Sequence, residues 1–201
     1  MSPRCTLLFD GKDLQSAVST LQSGGIILYP TDTVWGIGCD ATNERAVKRI
    51  FDLKQRADSK AMLVLLDSPL KLNHYVKTIP DIVWDLIEIT SEPSSSRPLT
   101  IIYPQAQNLA PSLIADDGSI GIRLTQEIFS KTLCAELGKP IVSTSANISG
   151  MPTPHNFLQI VPQIRESVDY VCYYRRDDDS KKAPSSILKL NDDGTFRLIR
   201  M

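Results

Sequence analysis

Apolar side chains near the start of the chain recur with a helical period. Leu14, Ala17, Val18 and Leu21 fall at i, i+3, i+4 and i+7 and are followed by Gly24-Gly25, so the spacing predicts an amphipathic helix stopped by glycine. Ile26 to Tyr29 is a short apolar run closed by Pro30, the pattern of a buried strand. Asn43 is placed to cap a second helix whose apolar side is Ala46, Val47, Ile50, Phe51 and Leu53. Ala61 to Leu66 reads as another buried strand, and Asp81 precedes a helix carrying Ile82, Val83, Leu86 and Ile87. The Ser/Pro-rich stretch 91–98 reads as a loop. Strands are expected over Leu99 to Tyr103, Ser119 to Arg123, Ile141 to Thr144 and Tyr170 to Tyr174. Helices are expected over Glu127 to Leu137, stopped by Gly138, and near Asn156 to Arg165, interrupted by Pro162. Ser185 to Leu190 and Thr195 to Ile199 form a hairpin around a turn ending in Gly194. Helices and strands alternate, which predicts an α/β fold with helices covering a mixed sheet. No repeat or long linker divides residues 1–201, so one domain is expected.

Four stretches are polar and rich in small residues where a strand would simply turn: YPTDTVWGIG, LKQRADSK, VSTSANISG and APSSILKL. Polar strand ends are where open α/β sheets place ligands. Lys54, Arg56 and Lys60 bring three cations just past a helix end, a set suited to phosphate. Gly36-Ile37-Gly38 begins like a dinucleotide fingerprint but lacks the third glycine, and no GxxxxGK[ST] occurs, so Rossmann and P-loop readings are rejected. Ser145 has no nucleophile frame, and the two histidines, His74 and His155, read as surface residues, which leaves Ser145 and Asn147 as ligand hydrogen-bonders. Trp35 and Trp84 read as core.

The composition changes this picture only modestly. A chain of 201 residues, 42% hydrophobic and 22% charged, is ordinary for a globular protein and excludes a disordered tail or a fibre. With 22 basic against 23 acidic side chains, bulk charge does not favour nucleic acid. Cys5, Cys39, Cys134 and Cys172 form no CxxC pair, so no metal site is expected and reduced thiols of a cytoplasmic protein are. No signal peptide or membrane span is apparent.

The four polar stretches, taken together, resemble the YrdC-like family of threonylcarbamoyl-adenylate synthases over about Leu14 to Arg200. YPTDTVWGIGCDA is similar to its PT[DE]TxxGLG segment, Lys54-Gln55-Arg56 to KxR, Ser145-Ala146-Asn147 to SxN, and Pro184-Ser185-Ser186-Ile187 to PST[VI]. The resemblance implies a twisted mixed sheet flanked by helices around a basic concave cleft, in the family's short, single-domain form. It implies synthesis of threonylcarbamoyl-AMP from L-threonine, bicarbonate or CO2, and ATP with Mg2+, releasing pyrophosphate. The adenylate then goes to tRNA-modification proteins. Carried over by residue, Lys54 and Arg56 are catalytic, Arg56, Lys60, Ser119, Asn147 and Arg200 bind ATP, and Thr33, Arg123, Ser143, Ser145 and Ser185 bind threonine. Lys54 and Arg56 are expected to be exposed in the cleft.

The chain departs from the family at Ser96-Arg97-Pro98-Leu99-Thr100, where a Pro-Gly-Pro-x-Thr turn is common, and at Ala57, Leu65 and His155. The resemblance carries a second reading, a non-catalytic paralogue binding tRNA or double-stranded RNA. A third, carbamoyl transfer in hydrogenase maturation, needs zinc fingers for which the sequence has no CxxC pairs.

Overall fold

The first periodic segment folds as helix α1, Gly11–Gln22, in a computed structural model that describes residues 9–55, 62–91, 97–191 and 193–201. Arg56, Lys60, Ala57 and Cys5 lie outside the described residues, as does most of the Ser/Pro-rich loop. Asp10 caps α1 by accepting from the Lys12 amide, and Leu14, Ala17 and Leu21 are buried as their period demands. Asp13 is buried with them, and its carboxylate accepts from the Tyr170 hydroxyl and from the Tyr173 and Tyr174 amides, so every cost of its burial is met by a donor.

The remaining helices are α2 (Glu44–Leu53), α3 (Leu72–Tyr75), α4 (Ile82–Ser91), α5 (Ile128–Leu137) and α6 (Pro162–Ser167). Asn43 caps α2, its side-chain oxygen 3.1 Å from the Ala46 amide. Glu127 caps α5 with both carboxylate oxygens, and Gly138 ends it in the left-handed conformation, φ 73°, that glycine adopts at least cost. Pro162 does not interrupt a helix, as the sequence suggested. It opens α6, after a separate 3-10 turn over Phe157–Gln159, because the missing N–H costs nothing at a first helical position.

Among the described residues nine strands form one sheet: β1 (Ile27–Tyr29), β2 (Gly36–Gly38), β3 (Leu63–Leu66), β4 (Leu99–Tyr103), β5 (Ile120–Leu124), β6 (Ile141–Ser145), β7 (Tyr170–Val171), β8 (Ser186–Leu190) and β9 (Phe196–Arg200). Their order is β7-β1-β2-β6-β3-β5-β4-β8-β9. The β1/β7, β3/β5 and β4/β8 pairs are parallel and the rest antiparallel, so the sheet is mixed as expected. β7 is shorter than the run Tyr170 to Tyr174, since the chain turns to deliver the Tyr173 and Tyr174 amides to Asp13. β2 had no strand signal in the sequence. Its Gly38 is required by close approach, because a Cβ there would stand 2.5 Å from the Val142 carbonyl oxygen.

Successive strand residues face opposite sides and seed two cores. Ile27, Tyr29, Leu65 and Ile141 pack with α1 and α5, whereas Ile26, Leu28, Ile37, Val64 and Val142 join the larger cluster that includes α2 and α3. Trp35 is buried in the larger cluster, tilted against Phe157 at 5.0 Å, and Trp84 packs at its margin. Cys39, Cys134 and Cys172 are free and buried. Among the described residues no helix is long and apolar enough to cross a membrane.

Candidate functional site

The β1–β2 turn, β5, β6 and the β8–β9 hairpin bound a cleft of about 640 Å3. Its rim begins in the PTDT turn. The Thr31 hydroxyl donates to the Val34 carbonyl at 2.7 Å and accepts from the Thr33 amide at 3.1 Å, which folds the turn and presents Thr33 to the cleft. Arg175 donates to the Thr31 carbonyl at 3.0 Å and holds the turn from behind.

Arg123, on β5, lines the cleft and forms an ion pair with Asp32, Nη2 to Oδ1 at 3.1 Å. Their side chains are only 4% and 9% exposed. The contact lacks hydrogen-bond geometry, and both Asp32 oxygens and Arg123 Nε are buried without a hydrogen-bond partner. Buried polar atoms are nearly always paired, so unmet groups at the edge of a cleft mark a place where a polar ligand has work to do.

β6 runs into the Ser145–Asn147 loop opposite Gly36 of β2. Ser143 and Ser145 line the cleft. Ser145 donates its hydroxyl to the Asn147 side-chain oxygen, and the Asn147 amide donates to the Met151 carbonyl at 2.6 Å. Lys54 caps α2 beneath this loop and is 2% exposed, which corrects the expectation that it is exposed in the cleft. Its ammonium donates to the carbonyl oxygens of Ser145 and, at 2.6 Å, Asn147, and to the Asn147 side-chain oxygen at 3.3 Å. A lysine at the end of a short helix reads as solvated from sequence alone; here three inward-turned oxygens replace its water.

The far wall comes from the last hairpin. Ser185 is buried and its hydroxyl accepts from Thr100 at 2.9 Å, while Arg200 donates to the Ser185 carbonyl from Nε at 3.1 Å and Nη2 at 2.8 Å. This latch joins the end of β9 to the start of β8 and sets Arg200 on the cleft wall. A neighbouring recess of about 540 Å3 shares Met62, Leu63 and Ile187 with the cleft and contains Ser119, whose hydroxyl donates to Asp117. Asp117 also meets Lys189 at 2.6 Å, and that ammonium, with the Ser119 donors, pulls its carboxyl down to about 2.

Of the residues singled out from sequence, Thr33, Arg123, Ser143, Ser145, Ser185 and Arg200 line one cleft. Ser119 lies in the adjoining recess, Asn147 borders a separate loop hollow, and Lys54 lies under the loop. Arg56 and Lys60 lie outside the described residues. Sequence reasoning missed Lys182 and Asp32; His155 is exposed, as expected, and lies on the rim of the cleft. For Lys182 a signal existed: RRDDDSKK ends directly before APSSI, so a cation had to lie near that turn.

The family model of Sua5, YciO and YrdC, described as Telomere recombination, matches residues 19–201. A threonylcarbamoyl-AMP synthase of Pseudoalteromonas translucida is 33% identical over 94% of this chain and 98% of its own. Another, from Stenotrophomonas maltophilia, is 34% identical over 78% of this chain and 83% of its own. In fold, the chain is similar to the YciO protein of E. coli, with TM-score 0.80 and 23% identity over 95% of this chain and 89% of that one. Sua5 of P. abyssi, solved in complex with L-threonine, gives TM-score 0.76 and 23% identity over 88% of this chain. The chain spans half of that Sua5 chain's length, 50%.

Proposed function

The chain belongs to the Sua5/YciO/YrdC family, and from that premise we propose how its cleft makes threonylcarbamoyl-AMP from L-threonine, bicarbonate or CO2, and ATP. It is a nucleotidyltransferase of the threonylcarbamoyl-AMP synthase type. The observation that carries the site assignment is the convergence of Thr33, Arg123, Ser143, Ser145, Ser185 and Arg200, drawn from distant parts of the sequence, on one cleft that holds unmet polar atoms.

The reaction forms a carbamate when the threonine amine attacks CO2 and loses a proton. A carbamate oxygen then attacks the α-phosphorus of ATP, and the bond to the β-phosphate oxygen breaks with pyrophosphate leaving. Such transfer needs positioning and charge neutralisation and no covalent nucleophile on the protein. Arg123, oriented by Asp32, pairs with the threonine carboxylate, since a guanidinium fork matches that group. Thr33 reaches the amino acid's side, and Ser143, Ser145 and Ser185 hydrogen-bond it. Arg56, Lys60 and Arg200 take the phosphates, and Ser119 takes the nucleotide. Lys54 and Asn147 act by fixing the loop that carries Ser145. When bound with ATP, Mg2+ would supply further neutralisation of the phosphate charge beside Arg56, Lys60 and Arg200.

We read residues 1–201 as one catalytic domain working in the cytoplasm, passing its unstable adenylate to tRNA-modification proteins. The test is pyrophosphate release by purified protein with MgATP, bicarbonate and L-threonine. Release should rise with threonine and saturate; release indifferent to threonine across pH and salt would overturn the function.

A further inference from the structure

Three cations line the cleft among the described residues: Arg123, Lys182 and Arg200. Two of them are already engaged. Arg123 faces Asp32 at 3.1 Å, and Arg200 spends two donors on the Ser185 carbonyl. Lys182 makes no hydrogen bond or ion pair with any described residue. We propose that the Lys182 ammonium is a second ligand for the carboxylate of the amino-acid substrate, working beside Arg123. This rests on the function proposed above and deepens it at one subsite.

Position favours the carboxylate over the phosphates. The loop that leads into Lys182 is held at the PTDT turn, where Arg175 donates to the Thr31 carbonyl and Asp178 and Ser180 border Thr33, which places Lys182 toward the Thr33 end of the cleft. Arg175 is itself bound by Asp178 at 2.6 Å, and its guanidinium lies 3.9 Å from Glu127, so those acids are committed elsewhere. Desolvation and then the Arg175 charge hold the Lys182 ammonium below its usual range, against the opposing pull of Asp178, Glu127 and Asp32. Asp32 draws charge from Arg123 in the same way that a substrate carboxylate would, so a full second cation is what the subsite lacks. A solvated loop lysine with no contact to substrate is the competing account.

Calorimetric titration separates the two. L-threonine, threoninamide and MgATP are each titrated into the wild type, Lys182→Ala and Lys182→Arg, with pyrophosphate release measured in parallel. Lys182→Ala should weaken L-threonine about tenfold, the worth of one charge-assisted hydrogen bond. Threoninamide, which lacks the carboxylate, should bind both proteins alike, and Lys182→Arg should restore most of the loss. The KM for threonine should rise and that for ATP stay within twofold. Equal weakening of threonine and threoninamide, no change in either, or a loss confined to MgATP would overturn the assignment while wild-type activity stands. A wild type that neither binds threonine nor releases pyrophosphate in response to it would overturn the function itself. Because Lys182 is exposed on a loop, its variants should melt with the wild type, and that melt separates a lost contact from a lost fold.

Discussion

Two lysines near the same cleft have opposite surroundings. Lys54 is sunk beneath the Ser145–Asn147 loop with its ammonium donating to three oxygens of that loop. Lys182 lies exposed on the opposite wall, where the described residues give it no hydrogen bond and no ion pair. The first has exchanged water for carbonyls and is finished as a binding group; the second keeps its charge for a ligand. Motif membership and chemical availability are therefore different properties. A lysine at a motif position can hold the backbone in shape while an unremarked lysine in a charged loop meets the substrate.

The largest effect that would test this contrast is expected at Lys54. Lys54→Met keeps the stem and deletes the ammonium, leaving the Asn147 carbonyl without its donor in a site closed to solvent, while the Ser145 carbonyl keeps the Asn147 amide. The cost should be on the order of 3 kcal/mol, the upper end of the range for a buried acceptor left without a donor. In a chain of this size that lowers the melting temperature by roughly 10 °C. Lys54→Arg should rescue little, since a planar fork does not replace a compact ammonium aimed at three oxygens. Thermal melts decide it. A Lys54→Met protein that melts with the wild type and has lost activity would place Lys54 in the chemistry and dissolve the contrast.

A smaller effect is expected at Asp32, which ties one cleft cation to the protein. Asp32→Asn keeps the shape and removes the charge facing Arg123, and because the pair has no hydrogen-bond geometry the loss of stability should stay below that at Lys54. Arg123 would then be freer to bind anions but less well aimed. The expected kinetics are a raised KM for threonine with the KM for ATP little changed. An unchanged threonine KM would show that Asp32 does not orient the Arg123 fork.

Much of the architecture was legible because helix period and apolar runs report burial directly. Asn43, Gly138 and the last hairpin fell where their local chemistry required. β2 was not legible, since its Gly38 reflects an approach to Val142 across the sheet that no local pattern encodes. Thr33, Ser145 and Ser185 were recognisable as motif positions, and Ser143, Arg123 and Arg200 were carried over from the family resemblance. The Asp32–Arg123 pair was not legible, because its members are far apart in sequence and only the β2–β6, β3–β6 and β3–β5 pairings bring the β1–β2 turn that carries Asp32 toward β5. The burial of Lys54 escaped for the same reason: the oxygens that receive it belong to a loop more than ninety residues away, as in the 93-residue separation to Asn147.

A third lysine supplies the smallest effect and a control on both others. Lys189 lies 2.6 Å from Asp117 on the rim of the recess that holds Ser119, with the two side chains 35% and 51% exposed. Lys189 and the Ser119 donors lower the Asp117 carboxyl to about 2 from its ordinary 3.8. A carboxyl lowered on folding stabilises the protein above its unfolded value, and that stability is lost as pH falls from about 4 through about 2. Solvent screening at such exposure limits the contribution to under about 1 kcal/mol. Asp117→Asn should therefore melt roughly 2 °C below the wild type at pH 7, and the two curves should converge as pH approaches 2. Added salt should narrow the gap at neutral pH. Curves that stay apart to the acid limit would show that Asp117 acts through its hydrogen bonds to Ser119, which an amide partly retains, and not through Lys189. Convergence would mark Lys189 as a cation neutralised at the surface, between the fully committed Lys54 and the uncommitted Lys182.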